Sequence, residues 1–356
     1  MQRSTLTAIM FMGVFSCAVA ARSETIEDVL KQLEPVSLNE TALRKLASGF
    51  TPYAQNPVLA PVKGSTNDWD GGAIGSMTVV KAGRVYHMYY EAWHAKAWSR
   101  VGSDFGHLQI GHAVSLDGVH WAKDPANPVL RNDSTHEWES RGVWDPFVIY
   151  ENGVFKMWYG GDNGRRCEGG FAISKDGSQF AKKGMIKHLE PHGFEDDHIV
   201  YDPHTGEYFM YYYDPVKAPW NGVMKNPLTA PWGLFVARSK NETDFDFKNA
   251  QRLAIEGQAR PVKYSHVVRD KDKWVMFYGE AVMRGKPSST GMAFSDDLLH
   301  WKKAAFPLIN GHDAEVIEIA PNLWFMYYGP YEYFDQPGCD IRLAVYEGKL
   351  EDLAKH

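Results

Sequence analysis

The chain has 356 residues, with 38 Lys and Arg against 44 Asp and Glu, a formal net charge of −6. A mildly acidic chain without basic blocks argues against nucleic acid and anionic membrane as partners. Three cysteines are too few for a disulfide scaffold, and a chain this long buries a large core without one.

Residues 1–20 read as a signal peptide. Arg3 supplies the positive start, Leu6 to Phe15 the apolar run, and Ala18-Val19-Ala20 the small-residue cleavage site. The run is too short to span a bilayer as a helix. Cleavage after Ala20 removes Arg3 and no acid, which leaves a net charge of −7 and predicts a periplasmic or secreted protein. Val14-Phe15-Ser16-Cys17 offers the alternative of a lipoprotein anchored at Cys17. Residues 21–50 are expected to form an N-terminal helical extension. Thr25 with Asp28, and Ser37 with Glu40, are capping-box pairs, each followed by an apolar pattern of helical period. Two such helices would shield an edge of the main domain or join two copies as a homodimer.

The remainder, residues 51–356, is built from one unit used five times. Tyr86-His87-Met88-Tyr89-Tyr90, Phe155-Lys156-Met157-Trp158-Tyr159, Tyr208-Phe209-Met210-Tyr211-Tyr212, Trp274-Val275-Met276-Phe277-Tyr278 and Trp324-Phe325-Met326-Tyr327-Tyr328 share a central Met flanked by aromatics. Each alternates and is rich in β-formers, so each reads as a strand. About ten residues before each lies a second apolar run, such as Met77-Thr78-Val79-Val80 or Phe147-Val148-Ile149-Tyr150. Turn residues such as Glu151-Asn152-Gly153 join the two runs as a hairpin. A third strand follows, marked by Ala113, Ala172, Ala237, Ala293 and Ala344, and Trp121 and Trp301 open a fourth. Four antiparallel strands repeated every 50 to 69 residues predict an all-β, five-bladed β-propeller. Asn56-Pro57-Val58-Leu59, before the first blade, resembles Asn127-Pro128-Val129-Leu130. The N-terminal segment is therefore expected to complete the ring beside the last blade.

First strands of propeller blades start near the axis, so residues far apart in sequence converge there. Blade 1 starts with Trp69-Asp70 ahead of Ser76, and blade 2 with Trp138-Glu139 ahead of Asp145-Pro146. Blade 3 starts with Glu195-Asp196-Asp197-His198, blade 4 with Ser265-His266, and blade 5 with His312-Asp313-Ala314-Glu315. Charges near an axis must be paired, metal-bound or used.

The five-fold ring, Asp145-Pro146 and the acidic start of blade 3 resemble the five-bladed glycoside hydrolases, notably the arabinanases and β-xylosidases of family 43. That resemblance implies a base from blade 1, an Asp-Pro in blade 2 that tunes the acid and holds substrate, and a Glu acid in blade 3. Asp145 matches the second role and Glu195 the third. The blade-1 position is Ser76, which leaves Asp70, or else Asp68, as the base. The α-neoagarobiose hydrolases offer a second resemblance, which implies a histidine acid: His266, with His312 and His198 behind it. Trp69, Asp197, His198, Arg165, Arg166, Trp220, His312 and Glu315 are the expected substrate contacts, the arginines suited to carboxylate or sulfate.

The expected function is an exported glycoside hydrolase acting on oligosaccharides or polysaccharide ends. It would work by inversion, with two carboxyl groups roughly 6.5–9.5 Å apart. The alternatives are a non-catalytic carbohydrate-binding propeller, a hydrolase with a histidine acid, and a phosphorylase with a basic pocket such as Arg165-Arg166. No metal motif or glycine-rich cofactor signature is present, so no cofactor is required. The resemblance allows a Ca2+ ion on the ring axis.

Overall fold

A computed structural model describes residues 24–33, 49–62, 69–94, 108–165, 167–187, 198–213, 234–258, 262–280, 289–330 and 339–354. Five sheets, antiparallel apart from one short parallel pair, hold more than half of them. Blade 1 comprises β2 (Ala73–Ala82), β3 (Val85–Trp93), β4 (Gln109–Ser115) and β5 (Ala122–Lys123). Blade 2 comprises β6 (Gly142–Glu151), β7 (Val154–Asp162), β8 (Cys167–Ser174) and β9 (Ala181–Met185). Blade 3 comprises β10 (His198–Asp202), β11 (Glu207–Tyr213), β12 (Leu234–Ser239) and β13 (Gln251–Arg252). Blade 4 runs β15 (Val262–Asp270), β16 (Lys273–Glu280), β17 (Ser289–Ser295) and β18 (Trp301–Asn310), with β14 (Ile255–Glu256) added parallel to β18. Blade 5 takes β19 (His312–Ala320), β20 (Leu323–Gly329) and β21 (Arg342–Glu347) from the C-terminal end, and β1 (Thr51–Pro52) from the N-terminal end. The chain therefore closes its own ring, as the Asn-Pro-Val-Leu repeat predicts. Asn56 makes a two-way amide clamp on Leu343 of β21, and Asn127 makes the same clamp on His112 of β4.

The hairpins follow from their turn residues. Asn152 (φ 52°) and Gly153 (φ 79°) form a two-residue loop in the left-handed region, whose twist matches that of the flanking strands. The five repeated Met residues are fully buried, and the apolar core divides into five clusters, each filling the seam between two adjacent blades.

Four seams carry the same polar tie. The aromatic after the Met reaches the next blade and donates to a carbonyl in its Ser-x-Asp/Asn turn. Tyr89 bonds Gly177, Trp158 bonds Glu242, Tyr211 bonds Leu298 and Tyr327 bonds Gly118, at 2.6–2.8 Å. Phe277 stands at this place in the seam between blades 4 and 5, where Phe50, Leu350 and Leu353 fill in instead.

The first helix of the extension, α1 (Ile26–Gln32), starts with the expected Thr25–Asp28 capping box. The second lies outside the described residues, as do the signal peptide and Cys17. A short α2 (Leu350–Leu353), not anticipated from the sequence, buries both its leucines. Cys167 and Cys339 are free thiols. Among the described residues no helix is long and apolar enough to cross a membrane.

Candidate active site

The repeated Met fixes a common register for the five first strands. It pairs with Val79, Val148, Ile199, Val267 and Val316. Three residues before these stand Ser76, Asp145, Asp196, Tyr264 and Asp313, and one residue before them stand Thr78, Phe147, His198, His266 and Glu315. In blades 1, 2, 4 and 5 the ladder slips at the first of these levels, between Gly75 and Met77, Trp144 and Phe147, Lys263 and Ser265, and His312 and Glu315. These are β-bulges, which re-aim a side chain at the cost of ladder bonds. Ser76 (φ 27°), Asp145 (φ 44°) and Asp313 (φ 51°) are held in the left-handed region, a strain of roughly 1–3 kcal/mol each.

The bulged residues line one axial pocket, together with Met77, Pro146, Phe147, His198, Ser265, His266, Ala314 and Glu315. It encloses about 440 Å³, solvent at its mouth included. Asp313 Oδ2 accepts from His312 Nδ1 at 2.7 Å and Ser76 Oγ at 3.4 Å. Asp313 Oδ1 and Ser265 Oγ are buried without a hydrogen-bond partner. The backbone N–H of Asp145 donates to Glu91 Oε2 at 3.3 Å, so the buried carboxylate of β3 secures that bulge.

One layer deeper, Glu315 ties three blades together. Its Oε1 accepts from Val79 N–H at 3.0 Å and Thr78 Oγ1 at 3.2 Å, and its Oε2 lies 2.6 Å from His266 Nδ1. His266 Nε2 meets the Val316 carbonyl at 2.9 Å. A carbonyl only accepts, so Nε2 carries a proton. The contact of Nδ1 with Glu315 lies outside hydrogen-bond alignment, within ion-pair distance. His198 Nε2 accepts from Val267 N–H at 3.1 Å, and burial with His266 alongside holds the His198 ring well below the usual histidine range, hence neutral. Both oxygens of Glu315 thus meet protein groups of neighbouring blades.

The structure thus gathers Asp145, His198, His266, His312 and Glu315 from the sequence-derived set around one site. Glu195, Asp197, Arg166 and Trp220 lie outside the described residues. Asp70, expected as the base, has a different post. Its buried carboxylate pairs with Lys123 Nζ at 2.5 Å, Trp69 stacks on Tyr90, and Lys123 sits over the same ring. Blade 2 repeats the unit with Glu139, Lys182, Trp138 and Tyr159. A Cβ on Gly111 or Gly170 would come within about 2.6 Å of both rings, so glycine is needed there. A unit repeated in two blades is a packing device, and neither Trp69 nor Asp70 lines the axial pocket. Arg165 is exposed in the turn after β7, away from the pocket lining.

The sequence placed Ser265 and Asp313 at strand starts without giving them a role, and it did not single out Glu91. Counting three residues back from the strand partner of each Met would have selected Asp313 together with Asp145.

Two other features invite a site and lack its chemistry. Asp133, His136 and Glu139 have metal-ligand spacing, but buried Glu139 is already satisfied by Lys182 and Tyr159. A wider groove on blade 3 pairs its cations Arg238 and Lys240 with Glu207.

No family model matches the chain. Over 163 residues, 44% of this chain and 51% of the relative, it is 28% identical to the 1,2-beta-oligomannan phosphorylase of Thermoanaerobacter sp. (strain X514). The chain spans about half the length of the curated relatives it matches. The β-1,2-mannobiose phosphorylase of Listeria innocua, solved with β-1,2-mannobiose, superposes with a TM-score of 0.65 at 15% identity, over 86% of this chain and 98% of that one. A thermostable family-43 glycoside hydrolase gives 0.58 at 20% identity, over 77% and 89%. The chain therefore has the five-bladed fold found in glycoside hydrolases and phosphorylases, with phosphorylases of β-1,2-linked mannosides among its relatives.

Proposed function

We propose that the protein cleaves a glycosidic bond at the end of an oligosaccharide or polysaccharide in the axial pocket, by hydrolysis. The observation that carries this reading is the pair Asp145 and Asp313, on different blades at the same register, each strained by a bulge that turns it into the pocket. Two carboxyl groups flanking the bond are what glycoside cleavage requires, one to protonate the leaving oxygen and one to activate the attacking group. Asp313 is the base, with Oδ2 anchored and Oδ1 left for a water molecule, and Asp145 is the acid. Inversion at the anomeric carbon is the expected course. Export is supported by Arg3, the apolar run and Ala18-Val19-Ala20.

Transfer to phosphate is the second reading, favoured by the curated phosphorylase relatives. Against it, the described residues lining the pocket include no Lys or Arg.

The mature protein should be incubated with β-1,2-mannooligosaccharides and with arabino-, xylo- and agaro-oligosaccharides, with and without inorganic phosphate. Free sugar formed at equal rates in both conditions supports hydrolysis. A sugar 1-phosphate formed only with phosphate decides for the phosphorylase. Proton NMR of the first product gives the anomeric outcome. Asp145→Asn and Asp313→Asn should each lower kcat by at least about 10²-fold, the scale of losing an acid or base. Full activity in either variant removes that residue from the pair.

A further inference from the structure

Asp313 sits where its neighbours put it, and His312 dominates that arrangement. The two are adjacent in β19, and the bulge that turns Asp313 to positive φ also brings its Oδ2 to 2.7 Å from His312 Nδ1. The imidazole is buried, and it occupies a slot made by the absence of a side chain. A Cβ on Gly329, the strand partner of His312, would lie 2.4–3.0 Å from three atoms of the ring. Gly329 has no positive φ to accommodate, so its role there is to make space for the imidazole.

We infer that His312 is a positioning residue. It donates its Nδ1 proton to Asp313 Oδ2, fixes the orientation of the carboxylate whose Oδ1 has no hydrogen-bond partner, and keeps that carboxylate ready to accept a proton, while Gly329 keeps the ring in place. His312 thereby acts through Asp313 rather than on substrate, the role expected of it from sequence. The inference rests on Asp313 being the base of the proposed reaction. The other groups around Asp313 cannot substitute for this donor. Ser76 on β2 is 3.4 Å away, and Asp145 on β6 and Glu91 on β3 are acids. His266 on β15 is committed to Glu315 and Val316. Cys339, before β21, is a thiol that burial and the charges of Asp340, Asp313 and Glu91 hold protonated. A carboxylate whose shortest hydrogen bond comes from a fixed imidazole is held in one orientation, and small misplacements of a reacting group cost large factors in rate.

The test has two arms. In protein with 15N-labelled histidine, the resonances of His312, assigned through His312→Asn, should show the proton on Nδ1 at pH 7 in the neutral ring, or on both nitrogens. A neutral ring with its proton on Nε2 overturns the inference, whatever the protein's substrate. In kinetics on the oligosaccharide cleaved fastest by the wild type, His312→Leu and Gly329→Ala should lower kcat at least about 10-fold with little change in KM. The acidic limb of kcat/KM should move to higher pH in His312→Leu. His312→Asn, which keeps an N–H near the Nδ1 position, should recover part of both losses. An unchanged acidic limb in His312→Leu, with Asp313→Asn inactive, overturns the positioning role and leaves the cleavage reading standing. A wild type that cleaves none of the oligosaccharides overturns the cleavage reading, and the tautomer then stands alone.

Discussion

Two buried carboxylates of blade 1 show how differently one residue type is used. Asp70 faces Lys123 and Glu91 faces the Asp145 bulge. Asp70→Asn should destabilise the fold by about 3–5 kcal/mol, the cost of leaving Lys123 without its partner in a largely enclosed site, trimmed by the part of Lys123 that reaches solvent. Urea unfolding measures the loss, and kcat of the folded fraction should stay at the wild-type value. A folded but inactive Asp70→Asn would return Asp70 to the catalytic pair. The histidines divide in the same way. His87 Nδ1 lies 3.0 Å from His112 Nε2, and His112 Nδ1 lies 2.8 Å from Asp124 in a fully buried chain. Burial and the neighbouring His112 push His87 down to about 3, below the 6.5 of an unfolded chain. The unfolded state therefore binds a proton that the folded state refuses. Stability from this site is complete above pH 6.5 and falls as pH drops towards 3. Roughly 2–3 kcal/mol should be lost between pH 7 and pH 4.5. His87→Gln should flatten that part of the stability curve, and equal slopes for the two proteins would remove His87 as its source.

At the scale of the element, the Ser-x-Asp turns after the third strands are the blade's sockets. Ser115, Asp117 and His120 bond within one turn, and Ser295, Asp297 and His300 repeat the pattern. The hydrogen bonds from His300 and the backbone outweigh partial burial and hold Asp297 at about 2. A turn ordered in this way presents its last carbonyl to the preceding blade, where the aromatic after the Met takes it. Tyr327→Phe keeps the ring and deletes only the hydroxyl that bonds Gly118. It should cost about 1–2 kcal/mol, since the buried carbonyl loses its donor. Chemical denaturation should show the midpoint falling with an unchanged slope, whereas an unchanged midpoint would show that water replaces the bond.

Across the whole molecule, one seam has no such tie, and it is the seam beside the point where the ring closes. Phe277 has no hydroxyl, and Phe50 packs between it and Tyr346 with centroid separations of 6.0 and 5.5 Å. Phe50 lies in the segment that enters β1, so the chain's N-terminal end wedges the junction of blades 4 and 5 while β1 completes blade 5. Phe50→Ala should therefore cost about 3–5 kcal/mol, at the high end for a core truncation. Hydrogen exchange should rise first in β18 to β20. A loss below about 1 kcal/mol would mean that α2 alone holds the seam.

The propeller, its five blades, the boundaries of their inner hairpins and the closure by the N-terminal segment were legible in the sequence. A seam between identical sheets demands the same large residues at the same register in each blade, and the Met-aromatic repeat records that demand directly. Local signals also determined α1, through Thr25 and Asp28, and the hairpin at Asn152-Gly153. The site was legible only in part. Asp145, His198, His266, His312 and Glu315 come together because strand starts converge on an axis, as expected from the sequence. The proposed preference for Asp313 over Asp70 rests on coordinates. Both are acids near the start of a first strand, and the count back from the partner of Met326 singles out Asp313 only once the strand pairing is known. Two facts of packing support that preference. Lys123, 53 residues away on an outer strand, lies over Tyr90 and claims Asp70. A bulge in β19, braced by His312 in the space left by Gly329, turns Asp313 towards the axis. Periodicity reports which face of a strand is buried, and a bulge breaks that periodicity at the position where the chemistry is placed.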